Sequence, residues 1–210
     1  MEREAWTIGG DPGTHAGLSL VRASRGLGGV YHQQVVGAWH ITGSSDALWY
    51  RRARLVHKQL AELLPAASEP ALYWIEQPPP TFRQGSLGRG NGHRGVKDGH
   101  AAWAGLGRHL GLLLAAAFEQ GFSPFCVQQS VWAGHWGRLI RRSKSANDPT
   151  HRIDEASRLL GARALLEAIP AGSRVDVAEA CLIAGAAALH LLQAGSAELA
   201  QAGHSPWESP

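Results

Sequence analysis

The first forty residues alternate short apolar runs with turn-forming residues, a pattern typical of β-strands. Residues 6–11 and 16–21 are two apolar runs on either side of Asp11-Pro12-Gly13. Proline fixes φ at the second position of a turn and glycine tolerates the positive φ that follows, so the two runs are predicted to form a hairpin. Residues 30–41 carry β-branched and aromatic side chains in imperfect alternation. They predict a third strand, antiparallel to the second.

Helical periodicity begins after these strands. Residues 43–46 offer N-cap chemistry, and we expect a helix through about Leu64 that stops at Pro65. Its apolar stripe is predicted to consist of Leu48, Leu55, Val56, Leu60 and Leu63. Residues 71–76 are then continuously apolar up to Glu76, which favours a central strand parallel to the first.

The remainder of the chain is predicted to be mostly helical. We expect a helix from His100 to about Gln120, capped by Asp98, and a short strand over 123–128. A broken helical region contains Trp132 and Trp136, and further helical pieces are predicted over 149–161 and 162–168. A last helix, very rich in alanine and leucine, is predicted from residue 176 to about 202, followed by a frayed polar tail over 203–210.

Composition places the chain among ordinary globular proteins. With 210 residues and 44% hydrophobic content, we expect one domain over 1–210 with its core at about 5–202. No run of about 18 uninterrupted apolar residues is present and the N-terminus is charged, so neither a membrane span nor a signal peptide is predicted. Cys126 and Cys181 each lie in an apolar run, which predicts reduced, buried thiols and a cytoplasmic location.

Four acidic residues stand in apolar surroundings where charges are uncommon. Asp11 and Glu76 end two predicted strands, and Asp176 and Glu179 begin the last helix. Asp11-Pro12-Gly13 by itself is equally well explained as a simple turn. However, several carboxylates in a core need a partner, and a shared cation is the simplest one. Residues three apart on a helix share a face, so Asp176 and Glu179 can point together at the strand ends.

Basic residues concentrate in two segments, although the net charge is only +3. Residues 81–97 are rich in Gly, Arg and Ser without periodicity, which predicts a long functional loop rather than a phosphate-binding loop, since no Gly-Lys-Ser/Thr follows. Basic loops beside acidic core sites favour binding of a polyanion, and a solvated surface is the alternative. The candidate contacts are Arg83, Arg89, Arg94 and Lys97 in the first segment and Arg138, Arg141, Arg142 and Lys144 in the second.

The predicted order of elements is similar to the ribonuclease H-like α/β fold, a mixed five-stranded sheet with three antiparallel strands and then parallel strands, flanked by helices. Within that fold, three motifs resemble the RuvC family of Holliday junction resolvases. They are the run 8–14 with Gly17, the run Ile75-Glu76-Gln77, and Asp176-Val-Ala-Glu-Ala180 with His190. The resemblance covers roughly residues 5–193, and it depends on the order and spacing of the motifs together.

The resemblance implies a homodimeric, metal-dependent endonuclease that nicks two opposed strands of a four-way DNA junction, in the cytoplasm of a bacterial host, nucleoid-associated or phage-encoded. It implies two Mg²⁺ or Mn²⁺ ions per site, held by Asp11, Glu76, Asp176 and Glu179. Lys144 resembles a lysine near the scissile phosphate and is a candidate catalytic residue, with simple phosphate binding as the alternative. The helix over 100–120, with Trp103 near its start, is the candidate dimer interface.

The chain also departs from the family pattern. Gly10 stands where a bulky aliphatic residue usually precedes the first acid, and Glu179 replaces a common aspartate. Prolines 78–80 occupy the place of an aromatic wedge, which leaves Phe82 as the nearest candidate for that role. These departures leave the four acids in place, whereas junction contacts and sequence preference stay open.

Three other functions remain open from the sequence. The first is a nuclease of the same fold that acts on RNA or on other branched or unbranched DNA. The second is a relative of actin-like ATPases and sugar kinases, which use a similar Asp-x-Gly-Thr motif. Those proteins need two such domains, however, and no second motif is present in this chain. The third is a non-catalytic junction-binding protein, disfavoured because unpaired buried acids are costly.

Overall fold

Five strands form one mixed sheet in the spatial order β3-β2-β1-β4-β5. The structure is a computed structural model that describes residues 3–26, 31–64, 72–77, 94–137, 139–140 and 150–193, with only the backbone described at 3 and 94–103. β1 pairs antiparallel with β2 and β2 with β3, while β4 pairs parallel with β1 and β5 parallel with β4. The predicted mixed sheet is therefore confirmed. The strands are β1 (Arg3–Asp11), β2 (Ala16–Arg25), β3 (Tyr31–Ile41), β4 (Leu72–Glu76) and β5 (Phe125–Val127).

Helices cover both faces of this sheet. The first begins after Ser45, whose hydroxyl accepts a hydrogen bond from the Leu48 amide, so the predicted N-cap is confirmed. A short 3-10 helix, Ala171–Ser173, leads into the last helix. The helices are α1 (Asp46–Leu63), α2 (Arg94–Glu119), α3 (Gln129–Trp136), α4 (Thr150–Leu160), α5 (Arg163–Glu167) and α6 (Arg174–Gln193).

Alternate residues of the strands face two separate cores. On one side, Ile8, Leu18, Leu20 and Ile75 pack with residues of α1 and α2. On the other side, Val21 and Trp74 pack with α3, α4 and α6. Because successive side chains of a strand point to opposite faces, residues 7, 9 and 11 of β1 lie on the α6 side and residues 8 and 10 on the α1–α2 side.

Helix α6 lies unusually close to β1 and β2 because glycines remove side chains from the contact. A Cβ at Gly9 would stand 2.1 Å from the carbonyl oxygen of Ala180, and one at Gly17 would stand 2.3 Å from that of Asp176. The hydroxyls of Thr7 and Ser19 donate to α6 carbonyls at 2.8 and 2.9 Å. These contacts fix both the height and the register of α6 over the sheet.

Several sequence-based expectations were wrong in detail. α2 begins at Arg94, so Asp98 lies inside the helix rather than capping it, and Arg94 and Lys97 belong to the helix rather than to a loop. Once a helix is nucleated, each further residue adds one hydrogen bond at little cost, so a segment without proline can join it. Cys181 is buried as expected, but Cys126 is exposed because β5 is a short edge strand.

The segment Ala171–Gln193, which includes α6, is long and apolar enough by composition to cross a membrane, with a mean hydropathy of 1.7. Of its most apolar window, 72% is buried inside the protein. The apolar character of α6 is accounted for by its position between the sheet and the helices α3 and α4.

Candidate active site

Two neighbouring parallel strands bring Asp11 and Glu76 to the same end of the sheet. Gly10 of β1 pairs with Ile75 of β4, so the residues that follow them, Asp11 and Glu76, are next to each other. Asp11 lies on the α6 side of the sheet, like Gly9 two residues earlier. Both carboxyl groups are partly buried. The sequence-based expectation that these two acids meet at a strand end is thus matched by the geometry.

The first turns of α6 bring the other two acids to this point. Asp11 pairs across the hairpin with Gly17, and the backbone of Asp176 lies directly over Gly17. Glu179 is one turn further along α6, and its negative charge acts on the carboxyl of Asp11. Because Gly17 has no side chain, α6 can lie close enough to the sheet to place Asp176 and Glu179 near the end of β1.

Burial and neighbouring negative charges raise the pKa values of three of these acids, Asp11, Glu76 and Asp176. The pKa of Asp11 lies well above its usual range, first because of burial and then because of the negative charges of Glu179, Glu76 and Asp176. Burial and Glu179 also raise the pKa of Asp176 to about 6. Burial raises the pKa of Glu76, although a hydrogen bond from Trp132 acts in the opposite direction. Such mutual repulsion is characteristic of a site that needs a positive charge.

Two residues that sequence reasoning did not assign to the site contact its carboxyls. The indole N–H of Trp132 in α3 donates to Glu76 Oε2 at 2.7 Å. The guanidinium Nε of Arg152 in α4 donates to Glu179 Oε1 at 3.0 Å. The Arg152 guanidinium carbon also lies 5.4 Å from the centre of a Trp132 ring. The sequence signal for Trp132 is slight: a tryptophan in a short helix has one N–H that must find an acceptor when buried.

The donor chemistry of the site fits a hard divalent cation. Carboxylate oxygens are the ligands that Mg²⁺ and Mn²⁺ prefer, and no cysteine lies among these four residues. Within the described ranges, however, no three His, Cys, Asp or Glu side chains already stand at the spacing needed to hold an ion. Metal binding would therefore require the four carboxyls to turn towards a common point. Glu179 can do so with its second oxygen while Oε1 keeps the hydrogen bond from Arg152.

The side chains of the predicted DNA contacts lie outside those that the structure describes. Arg94 and Lys97 lie at the start of α2, where only the backbone is described. The others lie outside the described residues, namely Phe82, Arg83, Arg89, Arg138, Arg141, Arg142 and Lys144.

The unusual Gly10 has a local explanation: a Cβ there would already be 3.2 Å from side-chain atoms of Leu18 and Ile75, so a bulky residue has no room.

The order of strands and the position of α6 define a ribonuclease H-like α/β fold. RuvC from Thermus thermophilus has a similar structure: in complex with Holliday junction substrate it matches with a TM-score of 0.57 and 17% identity, over 90% of this chain and 96% of that one. A second Thermus thermophilus RuvC structure matches with a TM-score of 0.53 and 21% identity, over 92% and 96%. The sequence matches no protein-family model, and no curated protein is significantly similar. The predicted likeness to RuvC is confirmed as a likeness of fold.

The raised pKa values predict how stability depends on pH. A carboxyl whose pKa is raised by folding stabilises the protein fully below its unfolded pKa of about 4, and this contribution is lost as the pH rises through the folded pKa. With metal removed by a chelator, we therefore expect Asp11→Asn to have a higher Tm than the wild type at pH 8, and a smaller advantage at pH 5. Thermal denaturation followed by circular dichroism measures both differences.

The exposed Asp154 in α4 provides the control for this measurement. Asp154→Asn removes the same charge from an exposed side chain and should leave the Tm nearly unchanged at both pH values. A Tm for Asp11→Asn below that of the wild type at pH 8 would contradict the repulsive site.

Proposed function

We propose that this protein is a metal-dependent endodeoxyribonuclease that resolves four-way DNA junctions by paired phosphodiester hydrolysis. The observation that carries the proposal is the convergence of Asp11, Glu76, Asp176 and Glu179 at one end of the sheet. The fold supports it, because the RuvC structure similar to this one is a complex with Holliday junction substrate. Repelling carboxylates in a partly buried site are otherwise costly to maintain.

In the proposed reaction, Asp11, Glu76, Asp176 and Glu179 would hold two Mg²⁺ or Mn²⁺ ions. When bound, such ions activate water and stabilise the leaving oxygen of a phosphodiester. The protein supplies the rest. β1 and β4 fix two of the carboxylates at adjacent strand ends, and α6 holds the other two at the height set by Gly17. This rigid support keeps the donors in place while a flexible polyanion binds.

The test of this function is cleavage of matched substrates by the purified protein. A synthetic four-way junction, a duplex of the same sequence, a single strand and an RNA–DNA hybrid are incubated with Mg²⁺ and with chelator. We expect Mg²⁺-dependent incision of the junction, and much slower incision of the other three. Faster cleavage of the hybrid or of the plain duplex would favour the alternative nucleases. Tight junction binding without incision in Mg²⁺ or Mn²⁺ would favour a non-catalytic junction-binding protein.

A two-fold junction is best cut by a two-fold enzyme, so we predict a dimer in solution that packs through α2. The outward face of this helix carries small residues that end at Phe118, which is 58% exposed. They recur at helical spacing as Ala104, Gly107, Gly111 and Ala115. A Cβ at Gly111 would meet no atom within 4 Å of the same chain, so larger side chains fit the monomer.

Gly111→Arg is therefore expected to dissociate the dimer without unfolding the chain, as measured by light scattering at micromolar concentration. Gly111→Ala is the matched control: it should remain dimeric and stabilise the helix by up to about 1 kcal/mol. A wild-type protein that is monomeric both free and on junction DNA would contradict the predicted dimer.

The basic segments carry a further prediction, which rests on the sequence because these side chains lie outside those described. If Arg89 and Arg141 neutralise phosphates of duplex arms, each alanine substitution should weaken binding and reduce the slope of log K against log salt by about 0.9. Cleavage at saturating protein should change much less. Fluorescence anisotropy over a salt series measures the slope. Unchanged affinity and slope in both variants would identify these segments as solvated surface.

Lys144→Ala separates the two interpretations of that lysine. A catalytic charge near the scissile phosphate predicts slow incision of fully bound junction, since it stabilises the transition state. A phosphate contact predicts weaker binding and normal single-turnover incision. Single-turnover assays at protein concentrations well above the dissociation constant distinguish the two results.

A further inference from the structure

Two side chains from separate helices hold carboxyls on opposite sides of the candidate site. Trp132 belongs to α3 and bonds Glu76, which comes from the sheet, while Arg152 belongs to α4 and bonds Glu179, which comes from α6. The guanidinium of Arg152 packs against the Trp132 ring system. The four residues therefore form one continuous chain of contacts, Glu76–Trp132–Arg152–Glu179, that spans the site.

We propose that Trp132 and Arg152 are positioning residues that act as a pair, orienting Glu76 and Glu179 for metal binding. This inference rests on the proposed function, because it assigns these two carboxylates to the metal. Each hydrogen bond uses one oxygen of its carboxylate, and a carboxylate has two oxygens with several lone pairs. Holding one oxygen fixes the orientation of the group while leaving it able to bind an ion. Partners of metal-binding carboxylates commonly have this role.

The surroundings of Trp132 distinguish it from a tryptophan that serves only the core. Its side chain is fully buried and its N–H donates to the carboxyl of Glu76. One turn later in the same helix, Trp136 is also buried, yet its N–H donates to the backbone carbonyl of Leu182 at 2.8 Å. A backbone carbonyl satisfies a buried N–H without placing a charge in the interior. The bond to Glu76 therefore does more than satisfy the indole.

Arg152 is suited to contact Trp132 and Glu179 at the same time. Its guanidinium is planar, so it can lie against the indole and donate in its own plane to Glu179. The side chains of Arg152 and Glu179 are 24% and 22% exposed, so their contact lies at the edge of the site and is partly accessible to solvent. A lysine would retain the charge but lose the planar contact and the fixed Nε–H direction.

Charge-conserving variants test the proposal, because they leave the electrostatic attraction for cations unchanged. Trp132→Phe removes the indole N–H donor together with one of the two fused rings. Arg152→Lys keeps the positive charge and removes the planar guanidinium group. The readout is the rise in Tm of the DNA-free protein as MgCl₂ is added, which gives the half-saturating Mg²⁺ concentration without reference to activity. We expect this concentration to rise about tenfold in each variant. In the double variant, the increase in the half-saturating Mg²⁺ concentration should be smaller than the two single effects combined, because the two residues act as a unit.

Two matched controls make the same chemical changes nearby. Trp136→Phe removes an equivalent buried N–H from α3, and Arg158→Lys alters an arginine on α4 that pairs with Glu155. Both should lower the metal-free Tm while leaving the half-saturating Mg²⁺ concentration unchanged. This comparison separates an effect on the site from a general loss of stability. If Trp132→Phe fails to fold, Arg152→Lys, which changes a partly exposed residue, carries the test alone.

The outcomes separate this inference from the proposed function. A wild-type protein with neither a Mg²⁺-dependent rise in Tm nor Mg²⁺-dependent incision would overturn both. A wild type that binds Mg²⁺, together with Trp132→Phe and Arg152→Lys variants that bind it equally well, would overturn the positioning role alone. Equal weakening in the Trp136→Phe and Arg158→Lys controls would also overturn it, since the effect would then be one of stability.

Discussion

Replacing Asp11 by Asn is expected to reduce incision of a four-way junction by at least about 1,000-fold, equivalent to about 4 kcal/mol of transition-state stabilisation. Asp11 is the residue on which the other three acids act, through the charges of Glu179, Glu76 and Asp176. Substitution by Asn keeps the shape of the side chain and removes its charge, so a metal ion would lose a ligand in an otherwise intact site. Glu76→Gln and Asp176→Asn should have comparable effects.

Junction binding should persist in these variants, because removing a negative charge does not weaken attraction for DNA. Binding by fluorescence anisotropy and incision under single-turnover conditions are measured on the same samples. A variant with a near wild-type rate would remove its residue from the proposed site. The incision rate of Glu179→Gln is also expected to fall, although this variant loses the ion pair with Arg152 as well.

The second large effect is expected from Gly17→Ala, a substitution that leaves all four acidic side chains unaltered. The added Cβ would lie 2.3 Å from the Asp176 carbonyl oxygen and 2.7 Å from the Val177 Cα. Backbone atoms cannot rotate away, so the start of α6 must move back by about 1 Å, and a displacement of that size can reduce catalysis about 100-fold. We expect this loss of incision in a protein that remains folded, with a stability decrease of about 1–3 kcal/mol.

Gly10→Ala is the control, since it adds the same methyl next to Asp11 but on the opposite face of the sheet. Its Cβ would be 3.2 Å from the side chains of Ile75 and Leu18, which can shift by a few tenths of an ångström. Incision by Gly10→Ala should stay within a fewfold of the wild-type rate. Comparable losses in both variants would mean that the distance between α6 and the sheet does not determine activity.

Much of the fold was predictable because local and non-local signals agree in this chain. The Asp11-Pro12-Gly13 run, the Ser45 cap and the continuous apolar run of β4 each indicate an element directly. The hairpin forms as predicted, but Gly13 does not adopt the positive φ on which the prediction was based, because the turn lies at residues 14–15. The adjacency of Asp11 and Glu76 follows from the parallel pairing of two strands that end in an acid. The last helix follows from its alanine and leucine content, and the shared face of Asp176 and Glu179 follows from their spacing.

Other features depend on tertiary packing that periodicity does not encode. The predicted apolar stripe of α1 included Leu55 and Leu63, which are 57% and 47% exposed, whereas Trp49 and Ala53 are the buried neighbours of Val56 and Leu60. Apolar residues occur around most of the circumference of α1, so the sequence alone does not distinguish the buried face from the exposed one. The contacts of Trp132 and Arg152 join residues 56 and 27 positions apart, beyond the reach of any local pattern.

The measurement that tests the central claim most directly is mapping of incisions on a synthetic four-way junction with each strand labelled in turn. The proposed site predicts that the wild-type protein with Mg²⁺ cuts two opposed strands at symmetry-related positions, and that neither chelator-treated protein nor Asp11→Asn cuts at all. Incision that is independent of divalent metal, or that persists in Asp11→Asn, would contradict the account.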